Sequence, residues 1–198
     1  METPTVINKT SDPLPISEAK RVIAELIRDK KYRWALLIAI PFYTFLRNSD
    51  YKHLKYSDFD KEKLILYETK TFHTRAKRKP RIIKISDELK SIVNQCKPEV
   101  IEPETFIFAS TWSNSPISIQ YVNKCYTKIK AKYNIQDCEH FTSHSARKGG
   151  VTALYNKMGK TEAALILISK ILGHSSTEIT MLYIGLTQKM MDDCFDSL

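Results

Sequence analysis

Apolar positions recur at helical spacing along most of this chain and at strand spacing in one short interval. Val22, Ile23, Leu26 and Ile27 form a single stripe, which predicts a first helix with Ser17 as its N-cap. A second helix starts near Lys31 to Trp34 and runs through Ala35, Leu36, Leu37 and Ile38, apolar enough to be central to the core. Pro41 is expected to kink or end it. Asp87 to Lys90 opens another helix with Ile92 and Val93 inward, and Ile119, Tyr121, Val122 and Tyr126 mark a further amphipathic one. Residues 64–67 and 81–85 read as two short strands of a hairpin, and residues 106–108 as a short buried strand.

The C-terminal third follows the same logic. Ala163 to Ile168, Ile171 and Leu172 form an apolar run, and Gly173 stands where a helix C-terminal glycine belongs. Ser175 and Glu178 fit the S-x-x-E capping box, so a last helix begins right after His174 and places Tyr183 about two turns further on. Ile179 and Leu182 are expected to anchor that helix to the core, leaving Tyr183 at the boundary of the buried face. At the other end, residues 1–15 are polar and contain Pro4, Pro13 and Pro15, an extended lead-in or linker remnant ahead of one domain over residues 16–198.

A length of 198 residues suits a genuine hydrophobic core without requiring a second one. Thirty-one Lys and Arg against 22 Asp and Glu give a formal charge of +9, which favours a polyanionic partner, nucleic acid or an anionic membrane. No apolar run is long enough to span a bilayer and no basic-then-apolar leader pattern opens the chain, so it reads as cytoplasmic. Cys96, Cys125, Cys138 and Cys194 form no C-x-x-C pair, which points to reduced thiols. His140 and His144 have the spacing to share a helix face, but no H-E-x-x-H motif or carboxylate cluster completes a metal site. Five glycines and no phosphate-cradling loop argue against a nucleotide. The expected chemistry uses neither metal nor cofactor.

Residues 143–183 carry His144, Arg147, His174 and Tyr183, a set suited to a phosphodiester. Such a substrate is anionic, so its charge must be neutralised before a nucleophile approaches. Arg147 is a planar cationic fork that fits two phosphate oxygens, and His144, three positions earlier, shares its face if the segment is helical. His174 is a donor that is neutral or cationic near neutral pH. Tyr183 supplies a phenolic nucleophile, weak unless cations and a base promote its ionisation.

S-H-S-A-R at residues 143–147 and L-G-H followed nine positions later by Tyr183 resemble the two C-terminal boxes of the tyrosine recombinase (phage integrase) family. T-F-L-R-N-S-D at residues 44–50, followed by L-x-x-x-D, resembles the family's first box, T-G-L-R-x-x-E. On that resemblance Arg47 is the first phosphate-clamping arginine and Asp50 takes the acidic position; taken alone, the two read as a surface ion pair. Phe45 stands at the family's glycine, which implies a different turn before Arg47. The interval between Arg147 and His174 is longer than usual, implying an extra loop around residues 156–161.

The resemblance also implies a catalytic lysine on the hairpin, protonating the departing 5′ oxygen. Lys70 in T-K-T is the best match, with Lys77 and Lys79 as alternatives. Around it run Lys70, Arg75, Lys77, Arg78, Lys79, Arg81 and Lys84, with His73 among them and no acid. Arg75, Lys77, Arg78, Lys79 and Arg81 are candidate contacts to a DNA backbone or minor groove, a solvated loop tip being the plainer reading. Lys124, Lys128, Lys130 and Lys132 either track phosphates or keep the surface soluble.

The implied fold is mainly α (α+β), a helical catalytic domain with a small antiparallel sheet at one edge, the family's N-terminal core-binding domain being absent. The implied activity is that of a site-specific recombinase or integrase of a phage or mobile element. Arg47, Arg147 and His174 hold the phosphate, His144 and the hairpin lysine manage protons, and Tyr183 forms a 3′ phosphotyrosyl link. The implied partner is double-stranded DNA, bound by a tetramer on paired sites, with a monomer in isolation left open. A tail carrying Met190, Met191 and Phe195 packs on its own domain or docks on a neighbour. A catalytically silent DNA-binding relative, and a topoisomerase- or telomere-resolvase-like rejoiner, are the alternatives.

Overall fold

The computed structural model describes residues 11–66, 80–100, 102, 104–110, 113 and 115–184, and among these are eight helices and one two-stranded sheet. Helix α1 (Ile16–Arg28) buries Ala19, Val22, Ile23 and Leu26 as its stripe predicts, but its cap is Pro15, with no side-chain cap bond. Ser17 therefore lies inside the first turn. Pro15 has the preset φ that helix entry needs, and its carbonyl accepts from Ala19 N at 2.8 Å. Arg21 closes the other side by gripping Glu18 at 2.7 Å and Glu25 at 3.0 Å and donating to the Tyr133 carbonyl at 3.0 Å.

Helix α2 (Tyr32–Thr44) is the central strut, packed against α1, α4 and α6, with every residue from Ala35 to Phe42 buried. Pro41 does not end it. A proline inside a helix leaves the carbonyl four residues earlier without its donor. Here that carbonyl, on Leu37, accepts from the Tyr126 hydroxyl at 2.6 Å, so the helix continues to Phe45, whose left-handed backbone (φ 55, ψ 29) terminates it. The short helix α3 (Asn48–Tyr51) and a 3-10 turn (Tyr56–Asp60) follow.

Strands β1 (Lys63–Leu66) and β2 (Arg81–Lys84) pair antiparallel, Leu64 opposite Ile83 and Ile65 opposite Ile82. Leu64 is buried while Ile65 and Ile82 face outward, which makes this a sheet at the edge of the helical body. Residues 106–108 form no strand. Phe106 makes one isolated bridge to Lys55, Ile107 N donates to the Leu54 carbonyl, and the Phe108 carbonyl accepts from Ile117 N, so the backbone bonds scatter over separate segments. Helix α4 (Asp87–Cys96) is capped by Ser86, and α5 (Ile119–Tyr133) by Ser118.

Helices α6 (Ser145–Lys157), α7 (Glu162–Leu172) and α8 (Thr177–Tyr183) complete the described fold. The expected loop between the boxes is the turn from α6 to α7, where Gly159 (φ 75) and Lys160 (φ 56) are both left-handed. Gly173 ends α7 at φ 68. The capping box at Ser175 does not form; Ser176 caps α8 without a side-chain bond. Nor do Ile179 and Leu182 reach the core, being 43% and 70% exposed; the buried face of this short helix is set by Thr180 and, just beyond it, Ile184, which are buried. His140 precedes α6 in a turn, so it shares no helix with His144, the residue capping α6.

Burial divides into two apolar clusters that share α6: a large one around α1, α2, α4 and α5, and a smaller one of Val151, Tyr155, Ala164, Leu165, Ile168, Leu172 and Ile184, with Phe45 and Tyr183 against it. Gly149 and Gly150 let α6 fit between its neighbours, because a Cβ there would meet the Leu14 carbonyl oxygen at 2.0 Å and the Phe42 carbonyl oxygen at 1.9 Å. Cys96, Cys125 and Cys138 are buried thiols; Cys194 lies outside the described residues.

Candidate active site

Helix α8 packs on α7, and at its C-terminal end Tyr183 meets the first turn of α6, which brings Arg147, His174 and Tyr183 together. Arg147 sits in the first turn of α6, 2% exposed, with its guanidinium carbon 5.4 Å from the centre of the Tyr183 ring. His174 follows the Gly173 turn, and its ring lies 5.6 Å from that of Tyr183 in edge-to-face geometry. Its orientation is set from α8: Nδ1 lies 2.9 Å from Oγ1 of the fully buried Thr180.

Tyr183 itself is half-buried, and its hydroxyl has no hydrogen-bond partner among the described residues. Burial raises the phenol's pKa, while the positive charges of Arg147 and Arg47 pull it back down. Arg47 thus acts electrostatically on the same oxygen from a different part of the chain, the turn between α2 and α3. His144 is exposed at the N-terminus of α6, three residues before Arg147.

The turn that presents Arg47 is made by Phe45, which adopts the left-handed conformation that glycine favours. Its ring packs on the smaller cluster, which offsets the strain of holding a side chain there. The hairpin fastens to the same turn, because the Arg81 guanidinium donates to the Thr44 and Phe45 carbonyls at 3.3 and 3.4 Å. Asp50 is buried at 6% exposure, so Arg47 and Asp50 are not a surface pair.

Lys70, Arg75, Lys77, Arg78 and Lys79 lie outside the described residues, as do Met190, Met191 and Phe195. Of the α5 lysines, Lys132 bonds Asp29 at 2.9 Å and Lys130 bonds the Glu139 carbonyl, whereas Lys124 and Lys128 stay exposed. No group of three or more His, Cys, Asp or Glu among the described residues has the arrangement to hold a metal ion. A cavity of about 550 Å³ lined by Trp34, Tyr56, Cys96 and Phe106 lies on other elements and contains none of the site residues.

Sequence reasoning missed two members of this site. Thr180 carries no motif, and only its position three residues before Tyr183 hinted that it shares that residue's helix face. Lys148 follows Arg147 directly and reads as one more surface cation, yet its Nζ stands 5.5 Å from the centre of the Tyr183 ring.

Solved structures share this architecture. XerA recombinase superposes with a TM-score of 0.65 at 19% identity, covering 99% of this chain and 66% of that one. The integrase of transposon Tn1549, in complex with a circular intermediate DNA, gives 0.63 at 19% identity over 89% of this chain and 62% of that one. XerH site-specific recombinase, in a post-cleavage complex with its palindromic difH substrate, gives 0.63 at 21% identity over 97% and 54%. This chain therefore spans less than two thirds of each of these proteins, and at such identities the likeness establishes the fold. No curated protein matches by sequence. The phage integrase family matches residues 14–190, an interval that contains α1 through α8 and every site residue named above, and the chain belongs to that family.

Proposed function

We propose that this protein cuts and rejoins DNA strands as a tyrosine-type site-specific recombinase, with Tyr183 as nucleophile. The observation that carries the reading is the Tyr183 hydroxyl, buried without a partner among the described residues beside Arg147, under the positive potential of Arg147 and Arg47 and next to an oriented His174. Two arginines and a histidine converging on one phenol suit an anionic substrate whose transition state gathers negative charge on equatorial oxygens.

In the reaction so read, Arg47, Arg147 and His174 hold the scissile phosphate. The phenolic oxygen of Tyr183 bonds to phosphorus as it loses its proton, the bond to the 5′ oxygen breaks, and that oxygen takes a proton. The products are a 3′ phosphotyrosyl link and a 5′ hydroxyl. His144 and a hairpin lysine, Lys70 or its alternatives Lys77 and Lys79, carry the two protons. Because the covalent link keeps the phosphodiester bond energy, the 5′ hydroxyl of another strand reverses the step without nucleotide or metal. The partner is double-stranded DNA, and exchange between two sites calls for a tetramer. Known recombinases bound to DNA in the same fold, and the +9 charge, support this partner.

The test is a denaturing-gel search for a covalent protein–DNA adduct on a library of duplexes nicked to trap the cleaved state. Wild type should give an adduct and Tyr183→Phe none, with salt-sensitive binding retained in both. Binding without an adduct in wild type would leave a DNA-binding module and refute the catalytic reading.

A further inference from the structure

We propose that Lys148 is a positioning residue of the nucleophile, an ammonium tethered by the N-terminal lead-in over the Tyr183 ring, where it favours the phenolate. This rests on the reading of Tyr183 as the attacking group. Lys148 Nζ stands 5.5 Å from the centre of the ring that Arg147 also approaches, at 5.4 Å. It is no loose surface cation: Nζ donates to the Ser11 carbonyl at 2.8 Å.

The lead-in that offers this carbonyl is itself pinned to α6 and its approach. Asp12 N donates to the His140 carbonyl at 3.2 Å, His140 N donates to Asp12 Oδ2 at 2.6 Å, and Leu14 N donates to the Ser145 carbonyl at 3.0 Å. Leu14 is fully buried, and Gly149 lets its backbone approach the helix without a Cβ between them. Lys148 thus joins two things that sequence separates, the stretch before α1 and the tyrosine of α8.

The electrostatic consequence follows from which form of the tyrosine each neighbour prefers. A cation over a phenol ring is attracted weakly by the ring's negative face, and over a phenolate strongly by a full charge. The charged groups facing Tyr183 are Arg147 and Lys148 from α6 and Arg47 from the turn before α3, and the titratable ring of His174 faces it from the turn before α8. Burial lowers the pKa of Lys148, and the negative charge of Asp12, which faces it, works against that shift without reversing it. Phenol ionisation therefore draws on a third cation besides the two arginines.

The experiment encodes 3,5-difluorotyrosine at position 183, whose phenol titrates at accessible pH, and follows its fluorine resonance with pH in the whole chain. Parallel samples carry Lys148→Met, which keeps the stem and removes the charge, and Lys148→Arg, which keeps the charge. Lys148→Met should raise the midpoint of the phenol titration by about one pH unit, and Lys148→Arg should return it to within a few tenths. The pH profile of adduct formation with the ordinary tyrosine should move in the same direction. An unmoved phenol midpoint in folded Lys148→Met would overturn the proposal; Lys148→Gln takes its place if Lys148→Met does not fold. Because the resonance reports ionisation without any reaction, it is independent of the nucleophile reading, which fails separately if Tyr183→Phe still forms adduct.

Discussion

Removing one oxygen from Tyr126 should reveal how α2 tolerates its proline. Tyr126 and Leu37 are each 1% exposed, and the 2.6 Å bond between hydroxyl and carbonyl is the replacement for the donor that Pro41 lacks. Tyr126→Phe keeps the ring and its packing on Phe141, 4.9 Å between centroids, and leaves the Leu37 carbonyl buried without that donor. Loss of such a bond with the acceptor stranded costs about 1–3 kcal/mol. For a domain of this size about 2 kcal/mol corresponds to a fall in Tm of roughly 4–8 °C. Pro41→Ala restores a backbone N–H aimed at the same carbonyl, so the two changes should not add. Urea denaturation of wild type, both single variants and the double variant closes the cycle. Tyr126→Phe should cost at least about 1 kcal/mol less in the Pro41→Ala background than in wild type. Equal costs in both backgrounds would refute the idea that the hydroxyl stands in for the missing amide.

Other predictions test the site and its supports. Gly150→Ala should destabilise the protein by about 1–3 kcal/mol by thermal melting, despite the roughly 1 kcal/mol that alanine normally adds to a helix, because the new Cβ would lie 1.9 Å from the backbone of α2. Thr180→Val removes the partner of His174 Nδ1 and should slow single-turnover adduct formation by roughly tenfold, with DNA binding unchanged. Phe45→Ala and Phe45→Gly lose the same ring, yet the glycine variant should be the more stable by about 1 kcal/mol in urea melts, since only alanine keeps the left-handed strain. Glu18 has its pKa lowered chiefly by Arg21, so its contribution is present above the ordinary carboxylate range and lost as pH falls through the depressed value. Glu18→Gln should therefore lower Tm at neutral pH, and the gap to wild type should close in acid.

The helices α1, α2, α4, α5 and α7 and the hairpin strands were legible in the chain alone, and its motifs singled out His144, Arg147, His174 and Tyr183 as candidates. Apolar periodicity reports burial directly, and the boxes place cations and a phenol at spacings that few other chemistries need. Local rules failed where a distant partner decides the outcome. Pro41 reads as a helix kink or stop, and the helix runs on past it where Tyr126, 85 positions on, supplies the donor it removes. Ile179 and Leu182 look like anchors because they are apolar, but the face of α8 that meets α7 is chosen by the angle at which the Gly173 turn delivers it, and it buries Thr180. Phe45 looks incompatible with a glycine turn, whereas packing on the smaller cluster holds it left-handed.

By itself, then, the sequence determined the helical class, the edge hairpin, the cationic balance and the residue types of the site, because these follow from periodicity, charge and the chemistry of side chains taken one at a time. Only the tertiary structure decided that Arg47 and Arg147 bear on one phenol, that Thr180 aims His174, and that Lys148, held by Ser11, stands over Tyr183. Those are distances between residues remote in sequence, and they exist only once α6 and α8 are packed.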